Sequence, residues 1–228
     1  MAIRINLTKD LVDPVRQLPV TYAERFGTTI SEESNIMQRI IDELGNFSDE
    51  RQMAINVKKS KVMKFSMSKT KDFPAEVFVN GDLLEVKEKL RIMGVIFTPN
   101  LKWDENTEFI CKKAYNKMWA MRRIKFLGLD EFTLLDFYMK EVRVHLELAV
   151  PVWHSGLTKR LIADIERVQR VAMGIILGQY EFHYSQGCTM LGLKPLFMRR
   201  QELCKRFAVN TANPDSKHSD LFQLEKFG

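Results

Sequence analysis

The sequence is poor in the features that most quickly betray a function. Its 228 residues include only three cysteines, Cys111, Cys188 and Cys204, widely separated and odd in number. That argues against a disulfide framework and for reduced thiols that pack, in a cytosolic or nuclear setting. No apolar run approaches the roughly eighteen residues that a membrane span needs, so no membrane partner is expected. The opening MAIRINLTKD has neither a long apolar run nor a small-residue cleavage site, and no secretory signal is expected there. Four histidines, His145, His154, His183 and His218, lie scattered, and no Cys-x-x-Cys or His-x-x-x-His spacing exists to build a zinc site. His183 and Cys188 read as structural residues rather than shared ligands. Glycine-rich phosphate loops and Gly-x-Ser-x-Gly elbows are missing too. Asp10 and Asp13, one helical turn apart, read as solvated acids rather than a cation site. Without repeats or low-complexity tracts, solenoids are excluded.

What is present is an ordinary globular composition, 45% hydrophobic and 28% charged, in a chain long enough for one sizeable domain or two small ones. The net charge is +6, and it is unevenly placed. Residues 1–100 carry 15 basic and 14 acidic groups, residues 101–212 carry 18 and 12, and residues 213–228 carry 2 and 3. A basic segment beside a neutral one suits a polyanionic partner, although solvated helices commonly carry surplus lysine and arginine as well.

The periodicities divide the chain. Up to about Ile30, Pro14, Pro19 and Gly27 interrupt a thin scatter of apolar residues, which leaves room for at most a short helix near Asp10 to Gln17. Ser31 then opens a helix over about 31–53, with Ile36, Ile40, Ile41 and Leu44 at helical spacing. After Asn56 the period changes. Lys61 to Ser66 reads as a strand. Val77-Phe78-Val79 before Asn80-Gly81 reads as a strand entering a tight hairpin, returning over Leu83 to Val86, and Leu90 to Phe97 adds a branched apolar run. Together these predict a small antiparallel sheet of three or four strands, closed by Pro99. From Trp103 onward the chain is helical. One helix starts at Asp104 and Glu105, ends with Arg122, Arg123 and Lys125 and stops at Gly128, with Ile110, Ala114, Met118 and Met121 inward. A second, from about Asp130 to Ala149, is apolar almost all round and reads as buried. A third spans about Lys159 to Leu177 with Arg160, Arg167 and Arg170 outward. Shorter helices follow at Ser185 to Leu191 and at Pro195 to Ala212, the latter carrying Arg199, Arg200, Lys205 and Arg206.

One stretch is specific enough to carry a resemblance. Asn56-Val57-Lys58-Lys59-Ser60-Lys61, then a strand, a hairpin and Ile92-Met93-Gly94-Val95-Ile96, is similar to the later palm motifs of reverse transcriptases. There an Asn-x-x-Lys-Thr/Ser-Lys segment precedes a palm strand, and a Leu-Gly strand forms the primer grip. Met93 stands where that family usually has leucine, which leaves an apolar packing role open. The rest resembles the non-LTR (LINE-type) retrotransposon branch. Its pieces are Leu101-Lys102-Trp103, Lys112-Lys113-Ala114, Arg122-Arg123-Ile124, then Glu147 to Trp153, Glu166 to Ala172, and Arg199-Arg200 with Leu203-Cys204. The resemblance runs from about Asn56 to Phe222 and rests on order and spacing, since each piece alone is weak.

The resemblance implies an α+β fold: a small antiparallel sheet forming part of a palm, followed by an all-helical thumb-like bundle. Residues 1–100 would be a truncated palm remnant, 101–212 the thumb-like region and 213–228 a polar tail. Near Met1 to Leu7 it implies an outgoing palm strand. A thumb sets cations against phosphates without reading bases, and outward Lys112, Lys113, Lys117, Arg122 and Arg123 suit that role. The same residues taken alone read as a solvated helix face. Lys59 aligns with the family lysine near the incoming nucleotide's phosphates, or, away from a nucleotide site, is an exposed lysine at a strand entry. Gly94 fits a close approach of the primer backbone, or a bulge. With Lys61 and Met93 of the same motifs, these are the nucleic-acid-binding candidates.

The catalytic part of that family is not visible here. Polymerase chemistry uses two divalent cations clamped by carboxylates from two palm strands, and the sequence has no Asp-Asp pair. No catalytic residue is therefore assigned, and no cofactor is expected for this fragment, although the intact family uses magnesium. The expectation is a truncated fragment of an RNA-directed DNA polymerase, not catalytic alone. Its expected partners are an RNA or DNA duplex, held weakly and without sequence preference through phosphate contacts, and a complementing polymerase segment. Two other classes stand beside it: a helical protein-interaction or scaffold module with no nucleic-acid role, and an enzyme completed by another chain or using an unrecognised site.

Overall fold

The computed structural model describes residues 2–4, 30–53, 55–65 and 76–213. The short helix expected near Asp10 to Gln17, the Asp10–Asp13 pair, His218 and the tail beyond Asn213 lie outside them. The fold is α+β, mostly helical with a few small sheets. Two compact units divide it, Met1–Ile92 with Thr98–Asn100, and Met93–Phe97 with Leu101–Gly228.

In the first unit, helix α1 spans Ile30–Glu50. Beyond it Gln52 takes a positive φ of 55°, which ends the helix short of the expected Met53. The Met53 N–H then turns back to the Ser48 carbonyl at 2.8 Å. Ile41 and Leu44 face a cluster with Ile55, Val62, Val77, Val79 and Leu84. Strand β1, Ala2–Arg4, lies antiparallel to β2, Lys61–Met63, and pairs Ile3 with Val62. A strand had been expected near Met1 to Leu7, and β1 falls there. The strand expected over Lys61 to Ser66 is shorter, ending at Met63.

Strands β3, Phe78–Val79, and β4, Asp82–Leu83, form the anticipated hairpin, turning on Asn80 and Gly81 with φ of 52° and 86°. Two consecutive left-handed residues are what a type I′ turn requires, and Asn-Gly supplies them. The side chain of Gln38 fastens α1 to this hairpin: its Nε2 donates to the Phe78 carbonyl and its Oε1 accepts the Phe78 N–H, both at 2.9 Å.

The single antiparallel sheet predicted from sequence is not what forms. The return run Leu83 to Val86 splits, because after Leu84 the chain changes partner. Strand β5, Glu85–Val86, pairs with β2 in parallel, Lys61 opposite Glu85 and Val62 opposite Val86. The result is a mixed three-stranded sheet, β1-β2-β5, and a separate hairpin. Alternation cannot reveal a change of partner, since Leu84 is buried and its neighbours exposed in either arrangement. Leu90 to Phe97 likewise becomes β6, Leu90–Ile92, and β7, Val95–Phe97. Between them Met93 and Gly94 hold φ of 48° and 90°, a conformation no strand can continue through. The chain passes from one unit to the other at this turn.

The second unit is built around α2, Asp104–Phe126. Asp104 and Glu105 sit in its first turn and Arg123 and Lys125 in its last, each matching the dipole. Ile110, Ala114, Met118 and Met121 are buried as the spacing predicted. Asn106, also buried, accepts the Ile96 N–H at 3.0 Å and ties β7 to the helix. Helix α3, Glu131–Phe137, starts at Asp130, whose carboxylate accepts the Thr133 N–H at 3.0 Å. It runs into a π-helical turn, Tyr138–Val142, and then α4, Arg143–Glu147.

This composite helix, apolar almost all round, was expected to be buried. Instead only one stripe is fully buried, Leu134, Tyr138, Val142 and Leu146, while Phe132, Val144 and Leu148 are exposed. An apolar residue at every fourth position walks about 40° per step around a regular α-helix. A wider π turn absorbs that drift and keeps the stripe pointed at the core.

Ala149 takes a left-handed φ of 50° and ends the composite helix, and α5, Val150–Trp153, follows with Pro151 in its first turn. Helix α6, Lys159–Leu177, matches its predicted span, with Thr158 accepting the Leu161 N–H and Gly178 closing it at φ 72°. Helices α7, Tyr184–Met190, and α8, Leu196–Ala212, complete the unit. Among the described residues no helix is long and apolar enough to cross a membrane.

Inside this unit lies a polar network. The Gln169 side chain accepts from the Tyr138 hydroxyl at 2.6 Å and donates to the Tyr184 hydroxyl at 2.8 Å and the Lys194 carbonyl at 3.1 Å. Tyr184 donates to Glu166, which also accepts the Leu196 N–H at 3.1 Å and an Arg200 N–H at 3.3 Å. Burial, and for Tyr184 the Glu166 carboxylate as well, pushes both tyrosine hydroxyls far above their ordinary range, so they remain donors.

Candidate nucleic-acid interface

The basic character of the second unit concentrates in α2. From Phe109 to Leu129 there is no acidic residue, while Lys112, Lys113, Lys117, Arg122, Arg123 and Lys125 supply six cations. Burying Ile110, Ala114, Met118 and Met121 fixes the helix's rotation, so positions 112, 115, 119, 123 and 126 fall on the opposite side, with 122 exposed at its edge.

The six cations have different environments. Lys117 Nζ reaches Glu141 Oε2 at 2.7 Å, and that hydrogen bond holds the Glu141 carboxyl below its ordinary range. Lys113 lies 4.8 Å from the Phe109 ring centre. Lys125 donates from Nζ to the carbonyls of Ile175 and Ile176 at 2.5 and 2.7 Å, capping the end of α6. Arg123 stands 5.6 Å from the ring centre of Trp119. Lys112 and Arg122 are exposed and have no carboxylate partner among the described residues. Of the five α2 residues predicted from sequence, Lys112, Arg122 and Arg123 therefore share an outward face, whereas Lys113 and Lys117 flank it.

The candidates outside α2 are not brought to this face. Lys59 ends a 3₁₀ turn over Val57–Lys59, where its N–H donates to Asn56 Oδ1 at 3.1 Å, and its side chain is exposed. The motif's asparagine thus shapes the entry to β2. Lys61 Nζ bonds Glu85 Oε2 at 2.6 Å across the parallel pair. Hydrogen bonds from Lys61 and Lys87 lower the Glu85 carboxyl to about 2. Met93 is 90% exposed, so the apolar packing role left open for it is not used. At Gly94 the close neighbour is Leu148, whose Cδ2 would lie 2.7 Å from an added Cβ.

Two of the basic residues that α8 carries turn inward. Arg200 is fully buried against Glu166, and Arg199 chelates Glu147 through Nε and Nη2. Cys111 and Cys188 are buried and Cys204 partly so. Burial raises all three thiols, Cys111 to about 11, away from the thiolate form. His183, at the start of α7, is exposed and donates its backbone N–H to Gln186. Among the described residues no three or more histidine, cysteine or acidic side chains are grouped to hold a metal ion.

Sequence reasoning missed the aromatic partners of the cationic face. Tyr115, Trp119 and Phe126 are exposed on it, Trp119 by 65% and Phe126 by 85%. The signal was available, since these positions fall off the stripe that Ile110, Ala114, Met118 and Met121 define. No family model matches the chain, and no curated protein or solved structure is detectably similar to it.

Proposed function

We propose that this chain is the palm-and-thumb portion of a reverse transcriptase of the non-LTR retrotransposon type, that it does not polymerise alone, and that it holds nucleic acid weakly through phosphate contacts on α2. The motif order from Asn56 to Phe222 supports the family reading. One observation carries the binding: a helix face with Lys112, Arg122 and Arg123 outward, in a segment without a single carboxylate from Phe109 to Leu129. Cations on such a face neutralise phosphates and release their condensed counterions, and contacts to phosphates carry no base-sequence information. Among the described residues, none are placed to hold a polymerase metal pair. That chemistry needs carboxylates converging from two strands, and neither an Asp-Asp pair in the sequence nor a convergent acidic group among the described residues supplies them.

Two assays test the two halves. In primer extension with magnesium or manganese, the purified chain is expected to incorporate nothing, and any template-directed incorporation contradicts the non-catalytic reading. In gel-shift titration, affinity is expected to fall steeply with salt, and a lack of binding at low salt removes the nucleic-acid role. A second reading, a helical protein-interaction module, is favoured by the exposed Phe126, Leu127, Leu129 and Phe132 around the α2–α3 turn. It is distinguished by a partner that stays bound through high salt and nuclease.

A further inference from the structure

We infer that the outer face of α2, together with Tyr180, is a track for single-stranded nucleic acid, in which unpaired bases stack on Trp119 and in a slot between Phe126 and Tyr180. The inference rests on the nucleic-acid reading of α2 and specifies its ligand.

Aromatic and cationic side chains are interleaved along the face at helical-neighbour spacing. Tyr115 precedes Trp119 by four positions, Arg122 and Arg123 follow Trp119 by three and four, and Phe126 follows Arg122 by four. Trp119 and Phe126 are thus about 10 Å apart along the axis, with the backbone positions of Arg122 and Arg123 between them. The Arg123 guanidinium already lies near the indole, so a phosphate bound by Arg123 has its base within reach of Trp119.

Beyond the face is a cleft of about 340 Å³, lined by Arg122, Lys125, Phe126, Gly174, Gly178 and Tyr180 among others. Gly174 makes room for it. A Cβ there would collide with the Tyr180 ring, so the absent side chain is what lets the tyrosine lie against α6 while staying 58% exposed. Lys125 is occupied by the carbonyls at the end of α6, which leaves Arg122 as the cation at the slot's mouth.

A duplex would make poor use of these groups. Its bases are already stacked on each other, so exposed indole and phenyl rings would face sugars and phosphates. An unpaired strand offers both a π-face and a phosphate per nucleotide, the pairing that sequence-tolerant single-strand binders exploit. An anionic bilayer also attracts cations mixed with aromatic residues. However, Asp130 and Glu131, both exposed beside the apolar α2–α3 turn, would be driven against like charge by such a surface.

The molecule contains its own probe. Of its three tryptophans, Trp103 and Trp153 are buried and Trp119 is exposed. The full chain is titrated at low salt with oligo(dT), a blunt duplex of equal length and anionic phosphatidylserine vesicles, while intrinsic fluorescence and affinity are followed. Oligo(dT) is expected to bind at least tenfold tighter than duplex and to quench the tryptophan signal. Trp119→Leu should abolish the quench, and it and Tyr180→Leu should each weaken oligo(dT) by about tenfold while leaving duplex binding unchanged. Unaltered circular dichroism would show both variants to be folded. Equal affinity for both nucleic acids without quenching overturns the stacking track while leaving the charge-based reading intact. Binding of neither overturns that reading as well, and preference for vesicles overturns both in favour of a membrane surface.

Discussion

Arg200 shows how misleading a basic residue can be when only its type is known. Fully buried, it donates one N–H to Glu166, while its Nε and Nη1 are buried without a partner among the described residues. Truncation, Arg200→Ala, is expected to destabilise the helical unit by about 3 kcal/mol, the low end for breaking a buried pair. Glu166 keeps two other donors, which is why the cost stays there. Arg200→Met fills the space without orphaned donors and should cost less; a methionine variant as unstable as the alanine one would contradict this, read by urea unfolding. Glu85 gives a pH-dependent counterpart. Its carboxyl falls from 4.5 to about 2 in the fold, so its contribution is present above the ordinary carboxylate range and is lost as pH drops from there towards 2. Glu85→Gln should flatten the acid dependence of amide exchange at Lys87, whose N–H bonds the Val62 carbonyl. An acid dependence that survives the substitution would show another group to be responsible. Neither pairing was readable in the sequence, because Arg200 and Glu166 lie 34 positions apart, and Lys61 and Glu85 meet only through a parallel pairing.

Whole elements were more legible than single residues where one period dominates. Helix α2 fell where its stripe and its stop at Gly128 placed it, and α6 where its stripe did, with Gly128 and Gly178 each in the left-handed conformation a helix end favours. The sheet was less legible. Two-residue strands carry too few alternations to announce their partners, and the switch at Leu84 is decided by tertiary packing. Lys125 illustrates an element held by a residue that looks like surplus charge. Replacing it by methionine uncaps the end of α6 and is expected to cost about 1–3 kcal/mol, typical of hydrogen bonds from a charged donor. Amide exchange at Gly178, which donates to Gly174, should accelerate first. Unchanged exchange would mean that water replaces the ammonium at no cost.

At the scale of the molecule, the cationic stretch of α2 was visible in the sequence, but which of its cations face outward was only partly so. Knowing that Lys117 is paired, that Lys125 is a cap and that Trp119 is exposed requires the fold. The two units also differ in their means of support. A small cluster around Val62 and Leu84 holds the first, whereas the second has a continuous core from Val95 to Leu196. Urea is therefore expected to unfold the first unit at a lower concentration, and one coincident transition by all probes would contradict this. The proposed nucleic-acid role depends on Lys112, Arg122 and Arg123 contacting phosphates. Its most direct test is the slope of log affinity against log salt for oligo(dT), with the wild-type chain and with a variant in which all three are alanine. Loss of about three phosphate contacts should make the slope shallower by about 2. If the triple variant binds as tightly as the wild type, with the same salt dependence, this face is not where the molecule meets nucleic acid.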